Sequence, residues 1–247
     1  ALVSKRTRRQ LVTGLLFISQ WTLGFLTLVL YPSVASAYYS LTQYNVLGSP
    51  RWVGLANYHR LFVADPNFPL SLGNTFYLAF IGVPLQLILG LFTAILLNQA
   101  LLRGKGIYRT AYFLPTLMPV VASTILFIWI LNPQYGIIDD ILGIFRIPQP
   151  GWFADPVWAK PSLILLSLWG IGTTMVIYLA GLQGINPELY EAAEIDGAGG
   201  YHKLLRITIP LVSPVTLFNL VVGLIAAFQV FAPIYLVGGG TSGSPEG

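Results

Sequence analysis

The chain has 247 residues, 55% of them apolar and 9% charged, with no cysteine and a formal net charge of +4; its mean hydropathy is +0.72. Soluble domains carry roughly 25% charged residues, so this composition excludes an ordinary cytosolic enzyme, a disordered segment and a disulfide-stapled secreted domain. Thirteen basic residues are too sparse for a phosphate-binding stripe, which excludes nucleic acid as a partner, and the missing thiols exclude thiolate metal sites and cysteine nucleophiles.

The unit of organisation is therefore the bilayer span of about 20 apolar residues, and the fold class is an all-α polytopic membrane protein. After the basic cluster Lys5, Arg6, Arg8 and Arg9, a first span is expected over residues 11–31, ending at Pro32. Residues 42–70 read as a polar loop, with Arg51, Arg60 and Asp65 among the turn formers Gly48, Pro50, Pro66 and Pro69. The second span, 72–97, contains Pro84, which predicts a kink near Gly82 of a kind that helix bundles tolerate.

A linker with Arg103, Lys105 and Arg109 leads into the third span, 111–131, with Pro115 and Pro119 near its start. Residues 132–160 form a second polar loop holding Asp139, Asp140, Arg146, Asp155 and Lys160. The fourth span is expected over 162–182, the charged stretch over 183–208 and the fifth span over 209–237, with 238–247 as an extracytoplasmic loop. With the N-terminal segment 1–10 in the cytoplasm, the inside segments hold nine Lys and Arg and the outside segments four. The positive-inside rule favours that orientation.

The 183–208 stretch contains the most specific local signal. Asn186 suits an N-cap, Pro187 the first helical position, Glu188 the first turn and Gly197 the residue just past the C-terminus. A helix of about ten residues is predicted, outside the membrane on the cytoplasmic side. Ala192 and Ala193 make a small-residue patch, Leu189 and Tyr190 offer apolar anchors, and Glu188, Glu191, Glu194 and Asp196 rim it. Such a helix suits a groove on another protein. An interfacial connector would more usually carry Lys and Arg to meet lipid phosphates.

Glu191-Ala192-Ala193, then Gly197 after three residues, then Ile207, one residue, and Ile209-Pro210 resemble the EAA loop of bacterial ATP-binding-cassette importer permeases. Ile209 stands where that pattern has leucine. The longer string Tyr190 to Ala198, the segment Trp52-Val53-Gly54-Leu55-Ala56-Asn57-Tyr58 and Arg109 to Pro115 are similar to the sugar and glycerol-3-phosphate, maltose-type branch. The resemblance implies a type I importer permease bundle in a bacterial inner membrane, with a sixth span and a cytoplasmic C-terminus expected beyond Gly247. It also implies a second permease subunit, two ATPase subunits that bind ATP and Mg, and an extracytoplasmic solute-binding protein. This chain would carry no cofactor, no metal and no catalytic residue of its own. Glu188, Tyr190, Glu191, Ala192, Ala193, Asp196, Gly197, Ala198 and Pro210 would be the ATPase-coupling positions.

No Asp, Glu, Lys, Arg or His lies within the five expected spans, which argues against a proton relay or an ion-coupled secondary transporter. A membrane-embedded enzyme would need a carboxylate or histidine cluster other than the acidic helix, and a non-transporting membrane scaffold is the remaining alternative. Asn219 and Gln229 are costly to leave in lipid and are expected to face the bundle or a pore. Trp169 and Phe228 offer aromatic surface beside Thr173, Thr174 and Gln229. In the maltose-type permeases the regions around Trp169 and Gln229 line the path, so these six residues are the candidate substrate path. Packing against the partner permease is the other reading of the same positions.

Overall fold

A computed structural model describes residues 5–45, 48–99 and 103–238, and the chain divides into two compact units, Ala1–Ser71 and Leu72–Gly247.

In the first unit, helix Lys5–Phe25 passes through a five-residue π-helical segment, Leu26–Leu30, into helix Tyr31–Ser40. The end expected at Pro32 does not occur. Proline lacks an N–H and its ring collides with the carbonyl four residues back, and widening the turn just before it relieves that collision, as π-bulges do elsewhere. The device recurs where π segments Leu78–Gly82 and Leu204–Thr208 each stop two residues short of a proline, at Pro84 and Pro210, and the helix continues through it; Arg60–Ala64 also ends two residues before Pro66, but there Asp65 is extended and the helix stops. The kink expected near Gly82 is such a widened turn.

The loop after Ser40 is ordered by one side chain. Thr42 and Gln43 pair with Trp52 and Arg51 in a short antiparallel ladder. Asn57 Nδ2 donates to the Ser40 and Thr42 carbonyls, 2.9 Å each, and the Ser40 and Tyr58 hydroxyls meet at 2.8 Å. Asn57→Ala leaves two carbonyls without their donor. Hydrogen exchange of the Val53 amide, which donates to the Leu41 carbonyl at 3.0 Å, is then expected to lose about tenfold in protection.

In the second unit, Val83–Asn98, Gly172–Gln183 and Ile209–Phe228 cross around a core of Ala94, Leu97, Met175, Tyr178, Leu179, Leu182 and Val212. Small residues permit close crossings: a Cβ on Gly90 would stand 2.8 Å from Thr174, and one on Gly181 2.8 Å from Val215. Most other large apolar side chains are exposed, the pattern of helices that are apolar all round and meet lipid. Buried or lipid-side hydroxyls bond their own helix, as Thr93 does to Leu89, Thr124 to Val120 and Thr216 to Val212.

By length and composition, Arg9–Ser40, Asn67–Asn98 and Gly200–Phe228 each suffice to cross a membrane, and two bent helix pairs bring the number to as many as five. The third and fourth expected spans are these bent pairs. Lys105–Leu117 and Val120–Ile130 meet at 100°, because Pro115 opens a 3-10 turn, Leu114–Leu117, and Pro119 forces Met118 into an extended conformation with ψ 135°. Pro156–Trp169 and Gly172–Gln183 meet at 51°, broken at Gly170. Asp155 caps the first of these by accepting from the Val157 N–H at 2.9 Å. The expected fifth span starts earlier, at Gly200, and breaks at Gln229 before a short helix, Ala232–Val237. The expected tail from residue 239 onward lies outside the described residues.

Candidate functional site

Two places carry the candidate residues. The first is the acidic helix, which runs over Glu188–Ile195. Asn186 closes its start: Oδ1 accepts from the Glu188 N–H at 3.1 Å, and Nδ2 donates to Glu188 Oε2 at 3.0 Å. Gly197, at φ +77°, closes its end. The Gly197 N–H reaches the Glu194 carbonyl at 3.0 Å and the Ala198 N–H reaches Ala193 at 2.8 Å, the paired bonds of a Schellman ending. Capping thus falls to Asn186 and Gly197, while the carboxylates of Glu191 and Asp196 are exposed.

The helix has two faces of different character. Tyr190 and Glu194, one turn apart, look back at their own chain: Tyr190 Oη and Thr208 Oγ1 lie 2.9 Å apart, and Lys203 Nζ pairs with Glu194. Tyr190 is therefore not the free apolar anchor that composition suggests. At 100° per residue, the opposite face centres on Ala192, flanked by Glu188, Leu189, Ile195 and Asp196. Ile195 is 88% exposed and Leu189 46%, so Ile195, unremarkable as one aliphatic in an acidic string, supplies the larger bare apolar surface. Pro210 stands on the long helix, two residues past the π segment Leu204–Thr208.

The second place is a cleft of about 360 Å³ within Leu72–Gly247, walled by residues of Leu78–Leu87, Leu163–Gly170, Thr173–Ile177 and Asn219–Pro233. Thr173, Thr174 and Asn219 line it, as do Gln86 and Ser167. No charged side chain is among the lining residues. Asn219 is 6% exposed, and its Nδ2 has no hydrogen-bond partner. An amide left this way costs about 1–3 kcal/mol, so an acceptor that enters the cleft and pairs with it is favoured.

The remaining candidates sit elsewhere. Trp169 packs edge-on against Phe127, centroids 5.6 Å apart, in a neighbouring recess of about 290 Å³ that it shares with Thr116, Ser123 and Thr173. Phe228 packs edge-on against Phe76 at 5.7 Å. Gln229 ends its helix by donating its N–H to Ala226 and is exposed, outside the cleft lining. Sequence reasoning did not make Gln86 or Ser167 a path candidate, though both line the cleft; their place two residues after Pro84 and three before Gly170 was the available signal, since helix breaks open a wall.

Residues 67–245 match the family described as binding-protein-dependent transport system inner membrane component. The chain is 38% identical over 246 residues to the probable ABC transporter permease protein YesP of Bacillus subtilis, covering 99% of this chain and 79% of that one. It is 35% identical to the lactose transport system permease protein LacF of Rhizobium radiobacter, covering 94% and 78%. It is 33% identical to the trehalose/maltose transport system permease protein MalF of Thermococcus litoralis, covering 98% and 83%. Among solved structures, a chain of a bacterial alginate ABC transporter, crystallised with an alginate pentasaccharide-bound periplasmic protein, superposes with a TM-score of 0.77 at 24% identity, over 90% of this chain and 74% of that one. That likeness is one of fold.

Proposed function

This chain belongs to the family of binding-protein-dependent transport system inner membrane components, and from that premise we propose that it carries a neutral sugar or related polyol, driven by two cytoplasmic ATPase subunits. It is a multi-pass permease subunit of an ATP-binding-cassette importer, a part of the machine that moves solute rather than one that performs chemistry on it.

The observation that carries the solute class is the cleft. Its lining offers Gln86, Ser167, Thr173, Thr174 and Asn219 among apolar walls, with no charged side chain. Neutral donors and acceptors spaced along an apolar surface suit a polyhydroxylated ring, which presents hydroxyls at its edge and C–H groups on its face. Two of the relatives are named for lactose and for trehalose and maltose, which supports the same class. Thr173, Thr174 and Asn219 serve as the path's polar contacts. Trp169, Phe228 and Gln229 flank it and come into play as the helices around Gly170 and Gln229 shift.

The acidic helix docks in the ATPase. Glu188, Glu191 and Asp196 rim the contact, Ala192 and Ala193 let the partner approach, and Gly197 with Ala198 turn the chain back toward Pro210. ATP and Mg belong to the partner subunits, and this chain holds no cofactor. The N-terminus is cytoplasmic, on the side of that helix. A second permease completes the path, and an extracytoplasmic binding protein delivers the solute.

The complex purified with its ATPase and binding protein, in lipid nanodiscs, tests this. Loading the binding protein with a neutral oligosaccharide is expected to raise vanadate-sensitive ATP hydrolysis several-fold. Stimulation by an amino acid or a metal ion, with none by any neutral sugar, would overturn the solute class.

A further inference from the structure

The covalent link between the acidic helix and the long helix behind it is poorly suited to transmit force. It runs through Gly197, Ala198, Gly199 and Gly200, and a Cβ on any of the three glycines would meet nothing within 4 Å. An unpacked, glycine-rich connection has more backbone freedom than any other and bends before it pushes. A stroke delivered to Glu188–Ile195 has to reach Gly200–Phe228 by another route.

Among the described residues, two polar side-chain contacts join the acidic helix to the long one. One is the ion pair of Lys203 with Glu194, whose carboxylate side chain is 64% exposed; a solvated pair of long side chains is screened and holds its geometry weakly. The other is the contact of Tyr190 Oη with Thr208 Oγ1 at 2.9 Å. Thr208 is 7% exposed, and its hydroxyl also lies 3.3 Å from the Lys203 carbonyl, to which it donates. The tyrosine O–H then donates to Thr208 Oγ1, which gives a directed chain from the acidic helix to the backbone of the long one. The tyrosine ring has only two side-chain torsions, so it is a stiff member compared with lysine or glutamate.

Where that chain lands is informative. Thr208 is the last residue of the π segment Leu204–Thr208, whose turn closes with the Ile209 N–H on the Leu204 carbonyl, immediately before Pro210. Helices bend sharply at π-widened turns and at prolines, and here the two coincide. The strut therefore bypasses the glycines and seats at the joint below Ile209–Phe228, the helix that carries Asn219 in the cleft.

We propose that the Tyr190–Thr208 hydrogen bond is the strut by which the acidic helix moves the long helix, with the π segment Leu204–Thr208 as its seat; the proposal rests on reading that helix as the ATPase-docking element. Tyr190 and Thr208 are thus positioning residues that link two parts of one chain.

The test uses the assembled transporter in proteoliposomes, with solute uptake and phosphate release measured together and the ATPase subunit quantified in each preparation. Thr208→Val is expected to keep the ATPase bound and to lower solute moved per ATP by about three- to tenfold, the range that loss of one neutral hydrogen bond allows. Thr208→Ser, which keeps the hydroxyl, restores the ratio. Tyr190→Phe lowers it by the same factor, and the double variant is no worse than either single one. Unchanged uptake per ATP in Thr208→Val with the ATPase bound overturns the strut, as does an additive double variant. If Ile195→Cys, in a chain with Tyr190 and Thr208 otherwise intact, gives no crosslink to an ATPase subunit with a thiol-to-amine reagent, the docking reading itself falls.

Discussion

Ala192→Trp is expected to strip the ATPase from the purified complex and to cut uptake by about two orders of magnitude. Ala192 centres the face of Glu188–Ile195 that looks away from its own chain, with Ile195 88% exposed beside it. An indole there cannot be absorbed by this chain, and it holds the partner's surface off the backbone. Central contacts in desolvated interfaces cost about 2–4 kcal/mol when spoiled, and each 1.4 kcal/mol is tenfold. Within the permease the same change meets no neighbour, so its own unfolding transition is expected to move by no more than about 0.5 kcal/mol. Copurification of the ATPase at wild-type yield would remove the docking assignment.

Gly172→Val is expected to destabilise the permease itself, by about 3 kcal/mol or more. A Cβ at this position would stand 2.2 Å from the Tyr112 carbonyl oxygen and 2.8 Å from Phe113 Cα. Both atoms are backbone, so no rotamer change makes room, and overpacking against backbone lies at the upper end of the range for such changes. Relief requires Lys105–Leu117 and Gly172–Gln183 to move apart, which is expected also to shift Thr173 and Thr174 in the cleft. Thermal unfolding in nanodiscs measures it. Gly14→Ala is the control, since a Cβ there meets nothing within 4 Å; equal transitions for the two variants would show that the contact is not tight.

How much of this was legible beforehand depended on how local the signal was. The acidic helix could be read from its ends, because Asn186 and Gly197 act through bonds to residues two and three positions away. The apolar segments could be read because a bilayer span is a length and a composition. The orientation of Tyr190 could not, since its partner Thr208 is 18 residues away and an aromatic among acids looks like an anchor. Pro115 and Pro119 announced the break in the third segment, yet the close packing of its first arm on Gly172–Gln183 depends on Gly172 admitting the Tyr112 backbone, which no local pattern encodes. Thr173, Thr174 and Asn219, which line the cleft, could be picked out as polar groups in apolar helices, but the same signal also picks out Gln229, which lies outside the cleft lining. Gln86 and Ser167 were passed over because which side of a helix looks into a cleft is decided by packing.

The π segments have one more effect, on the winding of everything that follows them. A turn that takes an extra residue resets the phase of the helix beyond it by about 100°. Asn219 lies on the far side of Leu204–Thr208, so its azimuth is inherited from that wide turn. Wound as an uninterrupted α-helix from Gly200, the same letters would aim its amide roughly a quarter of a revolution away, near the azimuth now held by Leu220, which is not in the cleft lining. A proline at position 210 thereby acts at a distance as a compass setting for residues it never touches.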